Sequence, residues 1–280
     1  MGTLDPNRVV TKSRLVTDLR ALGVAPGDAI LLHESVRNIG WIVGGPDVVL
    51  DAVCEVLGPE GTLLKLVGSE DGLYEAAEWP AHVRDAYVRE CPPYDRARTR
   101  GSRAFGLLAE YLRTRAGAER SDHPEESFVA VGKHARWITS GHPLVNGYGE
   151  GSPLDKLVQL DGKVLNLGAP LDTATLLHLA EYRARLPHKR VARYQAPIVR
   201  DGERVLVDVM ELDSSHGIVD WNGGADYFEP IVRSFLAGGG GTSGTVGHAE
   251  SHSMPARALV EHAIEWMETH LGSASREDGG

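Results

Sequence analysis

The segment Asp172-Thr173-Ala174-Thr175-Leu176-Leu177-His178-Leu179-Ala180-Glu181 carries the densest chemistry in the chain. Thr175, His178 and Glu181 stand at steps of three, which sets them along one face of a helix. An imidazole that titrates near neutrality accepts a proton from a nucleophile. A carboxylate one turn away holds its tautomer and stabilises its charged form. The Thr175 hydroxyl suits a developing oxyanion. The segment follows the strand-like Val164-Leu165-Asn166-Leu167 and the turn Gly168-Ala169-Pro170. A helix opening at the carboxyl end of a strand is a common ligand position in α/β folds, and its first turn offers free N–H donors. The same spacing equally describes a helix with a satisfied histidine and an ordinary surface glutamate.

Two further clusters carry polar chemistry. Arg120-Ser121-Asp122-His123-Pro124, with Ser127 behind it, suits phosphate oxygens, or else forms a polar turn with an arginine cap. His33-Glu34-Ser35-Val36-Arg37 follows the first strand at its carboxyl end. Other strings are set aside. Gly147-Tyr148-Gly149-Glu150-Gly151-Ser152 matches neither phosphate-loop pattern and reads as a turn. His248 and His252 stand at i and i+4, but Ala249 occupies the place where the metalloprotease motif needs glutamate, so no metal is expected. Cys91 runs into Pro92-Pro93, a rigid turn rather than a nucleophile's setting. No Gly-x-Ser-x-Gly elbow occurs.

The elements that must position these groups alternate. Helical stripes are predicted over Thr11–Leu22, from Pro46 to Leu57, over Trp79–Arg89, Phe105–Leu112, Thr175–Leu186, Tyr227–Leu236 and Pro255–Leu271. Short apolar runs at Ala29–Leu32, Thr62–Val67 (with Lys65 as a polar intruder), Phe128–Val131 and Lys163–Leu167 read as strands. Val191–Val199 and Arg204–Leu212 read as a hairpin around Asp201-Gly202. Gly238–Gly241 with Thr242-Ser243-Gly244 has a linker's composition. The alternation predicts an α/β fold with a mixed central sheet flanked by helices. One domain is expected over 1–272, followed by a frayed tail over 273–280.

Composition narrows the partners. The 280 residues hold 29 Lys plus Arg against 39 Asp plus Glu, a net charge of −10. Such a surface repels polyphosphate backbones and favours a cationic small molecule, so nucleic acid is not an expected partner. No apolar run has the length of a membrane span, and no signal peptide is read at Met1–Thr11. With only Cys54 and Cys91, a reducing cytoplasm is expected.

Several strings in order complete the reading: Leu32-His33-Glu34-Ser35, Ile39-Gly40-Trp41-Ile42-Val43-Gly44-Gly45, Gly58-Pro59-Glu60-Gly61-Thr62-Leu63, Arg120-Ser121-Asp122-His123-Pro124 with Ser127, Gly149-Glu150-Gly151-Ser152-Pro153, Leu167-Gly168-Ala169-Pro170-Leu171 and Leu177-His178-Leu179-Ala180-Glu181. Together, from about Arg14 to Leu271, the chain resembles the aminoglycoside 3-N-acetyltransferases, also called antibiotic N-acetyltransferases. The resemblance implies that family's own α/β fold, distinct from the GNAT fold. It implies acetyl-coenzyme A as donor and the 3-amino group of a 2-deoxystreptamine ring as acceptor, with antibiotic resistance as the outcome. It matches the catalytic histidine to His178, its glutamate to Glu181 and its threonine to Thr175. Coenzyme A contacts map onto His33, Ser35 and Val36 and onto Arg120, Ser121, His123 and Ser127. Asp172 and Asp213 are expected to meet substrate ammonium groups, with Glu70, Tyr74 and Asp95 behind them, though each equally suits a cap or turn. A monomer or homodimer is expected.

Three departures stand out. Glu34 takes the place of a small hydroxyl residue, beside a site meant for an anionic ligand. Leu66 and Ser69 stand where a subgroup carries tyrosine and tryptophan, which leaves another amine metabolite open as acceptor. Ala174 replaces a common asparagine. A binding protein that only sequesters the drug is the third reading, against which the retained His178 and Glu181 argue.

Overall fold

The computed structural model of the chain describes residues 6–69, 74–214, 217–221 and 226–272. Its strands are β1 (Val9–Val10), β2 (Ala29–Glu34), β3 (Trp41–Ile42), β4 (Thr62–Leu66), β5 (Glu119–Arg120), β6 (Phe128–Gly132), β7 (Lys163–Leu167), β8 (Val191–Arg200), β9 (Glu203–Leu212), β10 (Thr242–Val246) and β11 (Ala249–Pro255). Its helices are α1 (Lys12–Ala21), α2 (Val36–Ile39), α3 (Asp47–Leu57), α4 (Ala81–Glu90), α5 (Leu107–Arg113), α6 (Ala135–Thr139), α7 (Pro153–Gln159), α8 (Leu177–Arg183), α9 (Phe228–Ala237) and α10 (Ala256–His270).

Seven strands form one sheet in the order β10-β11-β7-β2-β4-β6-β5. The central pairs β7–β2 and β2–β4 are parallel, and the flanking pairs are antiparallel, so the sheet is mixed. Side chains alternate across a strand, and this sends neighbours to opposite layers. Ile30 and Leu32 pack with α1, α3 and α5, whereas Ala29 and Leu31 pack with α6 to α10. Buried on both faces, β2 and β4 carry apolar residues on both rather than in alternation, apart from Thr62, Lys65 and the terminal His33-Glu34. Among the described residues, no helix is long and apolar enough to cross a membrane.

Local chemistry sets the boundaries. Thr11 caps α1, accepting the Arg14 N–H at 3.3 Å. Ser152 caps α7, accepting the Asp155 N–H at 3.2 Å, with Pro153 in the first turn. The hairpin β8–β9 turns through Asp201 (φ 54°) and Gly202 (φ 82°), the positive φ pair a two-residue loop requires. It packs apart from the large sheet, on Tyr74, Ala76 and Tyr94.

The linker expectation is corrected. Thr242–Val246 is β10, paired with β11 from Thr242↔Ser253 to Val246↔Ala249 at the edge of the sheet. Polar, glycine-containing sequence survives there because four of its five residues are exposed. The same pairing puts His252 on a strand and His248 in the preceding turn, so their i, i+4 spacing has no helical meaning. Helices α6 and α7 are too short for periodicity to reveal.

Candidate active site

The carboxyl ends of the three parallel strands β7, β2 and β4 gather on one side of the sheet. A cavity of about 710 Å³ opens there, as the topology of an open α/β sheet favours. The loop after β2 lines it with Ser35, Val36 and Arg37, the end of β4 with Lys65 and Leu66, and the loop after β7 with Asp172, Thr173 and Thr175. Phe105, Gly106 and Leu107 form another wall.

His178 reaches the cavity from the first turn of α8. Its Nδ1 lies 2.6 Å from Glu181 Oε2. The carboxylate only accepts, so Nδ1 carries the hydrogen and Nε2 keeps a lone pair. Glu181 is 2% exposed and does not itself line the cavity. Its other oxygen accepts a hydrogen bond from the Tyr227 hydroxyl. The imidazole stacks on Tyr148, with ring centroids 4.7 Å apart and planes at 9°, and meets Phe228 edge-on at 4.9 Å. The predicted helix starts later than expected. Thr175 precedes it, and the His178 N–H donates to Thr175 O in a tight turn that still leaves Thr175 on the cavity wall.

The two polar oddities of the sequence neutralise each other. Lys65 Nζ lies 2.6 Å from Glu34 Oε2 across adjacent strands, with side chains 4% and 1% exposed. Burial pushes the Glu34 carboxyl up, and the ammonium of Lys65 pulls against it. The chain passes closely here: a Cβ on Gly106 (φ +86°) would sit 2.9 Å from Glu34 Oε1. His33 also lines the cavity; burial and the Lys65 charge bring it down to about 3, so its ring is neutral near pH 7.

The second expected coenzyme A cluster lies away from this cavity. Arg120, Ser121, His123 and Ser127 are 5% exposed or less and do not line this cavity. Arg120 donates from Nε to Ser127 Oγ at 3.1 Å and from its other nitrogens to the carbonyls of Thr99 and Gly68, with Tyr94 beneath its guanidinium. Ser121 Oγ accepts the Phe128 N–H and pairs with His142 Nδ1, each at 2.9 Å. A buried network therefore engages Arg120, Ser121 and Ser127. His123, Glu126 and Glu211 bring one atom each within 4.8 Å of one another. The Glu126 N–H donates to His123 Nδ1 at 3.0 Å, so the ring's Nε2 bears the hydrogen. That tautomer offers the carboxylates a donor and gives a metal no lone pair. Burial and the neighbouring Glu211 push the Glu126 carboxyl well up.

The acidic candidates divide. Asp172 lines the cavity. Tyr74 donates to Asp213 Oδ1 at 3.0 Å and accepts the N–H of Ser214, itself a lining residue. Asp95 closes its own turn, accepting the Ala97 N–H at 2.8 Å, and lies outside the cavity. Glu70 falls outside the described residues. Sequence reasoning missed Tyr148, Asp226, Tyr227 and Phe228. Asp226 caps Phe228 N at 2.6 Å; burial and the Asp172 charge raise its carboxyl. Tyr148 lay within a glycine-rich string whose pattern signals only a turn.

The profile of the family described as aminoglycoside 3-N-acetyltransferase matches residues 31–268. The chain belongs to that family. It is 43% identical over 271 residues to aminoglycoside N(3)-acetyltransferase III of Pseudomonas aeruginosa, covering 97% of this chain and 98% of the relative. With aminoglycoside N(3)-acetyltransferase VII of Streptomyces paromomycinus it shares 42% identity, over 97% and 96% of the two chains. Among solved structures, aminoglycoside acetyltransferase AAC(3)-Xa superposes with a TM-score of 0.91 at 43% identity over 94% of each chain. AAC-IIIb, solved as a binary complex with CoASH, gives 0.88 at 41% identity over 95% of this chain and 99% of its own. AAC-VIa bound to sisomicin gives 0.87 at 36% identity over 93% and 98%. The aminoglycoside 3-N-acetyltransferase fold is therefore the three-layer arrangement described above, with His178 opening onto the cavity at its parallel core.

Proposed function

We propose that this chain transfers the acetyl group of acetyl-coenzyme A directly to the 3-amino group of the 2-deoxystreptamine ring of an aminoglycoside, with His178 as general base. One observation carries the reading: an imidazole held at Nδ1 by a buried carboxylate presents its remaining nitrogen's ring to a cavity at the carboxyl ends of parallel strands. The similarity to AAC-IIIb with CoASH and to AAC-VIa with sisomicin supports the two substrates.

An aminoglycoside ammonium is no nucleophile until it loses a proton. His178 Nε2 takes that proton, while Glu181 stabilises the resulting imidazolium. The amine nitrogen bonds to the thioester carbonyl carbon and gives up its second proton, the C–S bond breaks, and that second proton accompanies coenzyme A, which leaves as thiol, while the first stays on His178 until it passes to solvent. Thr175 Oγ and the N–H groups of Val36 and Arg37 are the candidate donors to the carbonyl oxygen. The latter precede the Asn38 and Ile39 N–H groups that close on Ser35 O. His33, Ser35 and Val36 are the members of the expected coenzyme A set that line the cavity, and the Lys65–Glu34 pair removes the negative charge that would oppose an anionic ligand. Asp172 on the cavity wall supplies charge for the ammonium groups, and Asp213, which does not itself line the cavity, is held by Tyr74 next to the lining residue Ser214.

A second acceptor, another amine metabolite, is favoured by Leu66 on the cavity wall and by Ser69, whose hydroxyl is tied to the Pro124 carbonyl. Neither supplies a ring for sugar contacts. Thiol release from acetyl-coenzyme A with gentamicin, kanamycin, neomycin, apramycin and simple amines, followed by locating the acetylated nitrogen, separates the two. His178→Ala should fold and lose about two to four orders of magnitude in kcat. Turnover near wild type would remove the histidine from the chemistry.

A further inference from the structure

Glu181 is a buried carboxylate with two oxygens to satisfy. One accepts from His178 Nδ1 at 2.6 Å; the other accepts from the Tyr227 hydroxyl, which arrives from the chain just before α9, 46 residues away. Tyr227 is 5% exposed. Its neighbour Phe228 meets the His178 ring edge-on, and Asp226 locks the pair by accepting the Phe228 N–H. Three consecutive residues from a distant element therefore bear on the histidine and its carboxylate at once.

We infer that Tyr227 is a positioning residue that acts through Glu181, fixing the carboxylate's orientation and setting the basicity of His178. The inference rests on the general-base reading above. Burial and the Glu181 charge raise the Tyr227 phenol, so it remains a donor throughout the working pH range. A donor on Oε1 draws negative charge away from Oε2. That weakens the carboxylate's hold on an imidazolium and keeps the histidine a deprotonated base at lower pH.

Other charged and titratable groups bear on the same pair. On α8 itself Tyr182 feels the Glu181 charge. Lys189, which donates to Tyr182 O, feels it from the following loop. Asp226, before α9, bears on His178, Glu181 and Asp172, and Asp172, before α8, lines the same cavity as His178. Tyr148 stacks on the imidazole. Among these, Tyr227 is the group hydrogen-bonded to the carboxylate itself.

The test compares wild type, Tyr227→Phe, Glu181→Gln, the double variant and His178→Ala. It reads thiol release from acetyl-coenzyme A against pH, with thermal midpoints as the folding check. Tyr227→Phe should lower kcat by about three- to tenfold, the scale of one ordinary net hydrogen bond, with KM for acetyl-coenzyme A within about twofold. The acid limb of kcat/KM should move to higher pH by roughly half a unit or more. The substrate amine's own ionisation is common to all variants and cannot move it. In the Glu181→Gln background the added Tyr227→Phe change should have no further effect. Replacing Tyr227 by 3-fluorotyrosine, a stronger donor of nearly the same shape, should move the limb the opposite way. This arm decides the matter if the phenylalanine variant folds poorly. An unmoved limb in both replacements, or an undiminished loss in the Glu181→Gln background, overturns the role of Tyr227. If His178→Ala is inactive while the Tyr227 variants behave as wild type, only this inference fails. If His178→Ala turns over normally, the general-base reading fails and takes the inference with it.

Discussion

Lys65→Met should be among the most damaging single substitutions near the cavity, although it replaces a charge by an apolar chain inside an apolar strand. At 2.6 Å and an effective dielectric constant of about 20, the Lys65–Glu34 attraction is about 6 kcal/mol. Desolvation of two nearly fully buried charges takes back several kcal/mol, so the intact pair is close to neutral against an apolar pair of equal volume. Removing one partner leaves the other charge buried without compensation, which typically costs about 3–5 kcal/mol. Glu34 can escape part of this by taking a proton, since burial already pushes its carboxyl up. The sign follows. A carboxyl whose folded value lies above its unfolded value contributes stability at low pH that is lost as pH rises through the folded value. The Lys65→Met penalty should therefore be small near pH 4.5 and grow by up to about 1.4 kcal/mol per pH unit above it. Urea denaturation from pH 5 to 8 measures this, and Glu34→Leu/Lys65→Met should recover most of the loss. A flat penalty with pH, or a double variant as unstable as the single one, would refute the claim that the two charges exist to neutralise each other.

Three further outcomes follow. Asp172→Asn and Asp213→Asn should raise KM for the aminoglycoside at least about fivefold more than KM for acetyl-coenzyme A; equal rises in steady-state kinetics would contradict an ammonium contact. Arg120→Met should destabilise by about 2–3 kcal/mol, because it removes a donor from the half-buried Thr99 carbonyl and leaves the buried Gly68 carbonyl with only the Ser127 hydroxyl, yet leave KM for acetyl-coenzyme A within about twofold. A selective rise in that KM would restore Arg120 as a cofactor contact. Burial brings His33 and His142 down to about 3. Histidines held neutral in the fold contribute stability that is complete above their unfolded value and lost as pH falls from about 6.5 towards 3. His142→Gln should flatten the stability slope between pH 6.5 and 4, with raised Glu126 acting in the opposite sense; an unchanged slope in denaturant titrations would exclude His142 from it.

The sequence by itself determined the layers and the first member of the site. Short apolar runs such as Ala29–Leu32 and Lys163–Leu167, bounded by turn residues, have the length and composition of buried strands, and the i, i+3 step from His178 to Glu181 becomes a hydrogen bond once α8 forms. Both are short-range consequences of backbone geometry. Tertiary structure decided what short range cannot. Lys65 and Glu34 lie 31 residues apart and read as two defects until parallel pairing of β2 with β4 makes them one ion pair. The Arg120 cluster has the composition of an anion site, but folding satisfies its donors internally. Thr242–Val246 has a linker's composition and becomes a strand because β11 supplies the hydrogen bonds. Tyr148 and Tyr227 carry no local signal, since a ring that stacks on an imidazole or a hydroxyl that meets a carboxylate acquires its role only from what the fold brings opposite it.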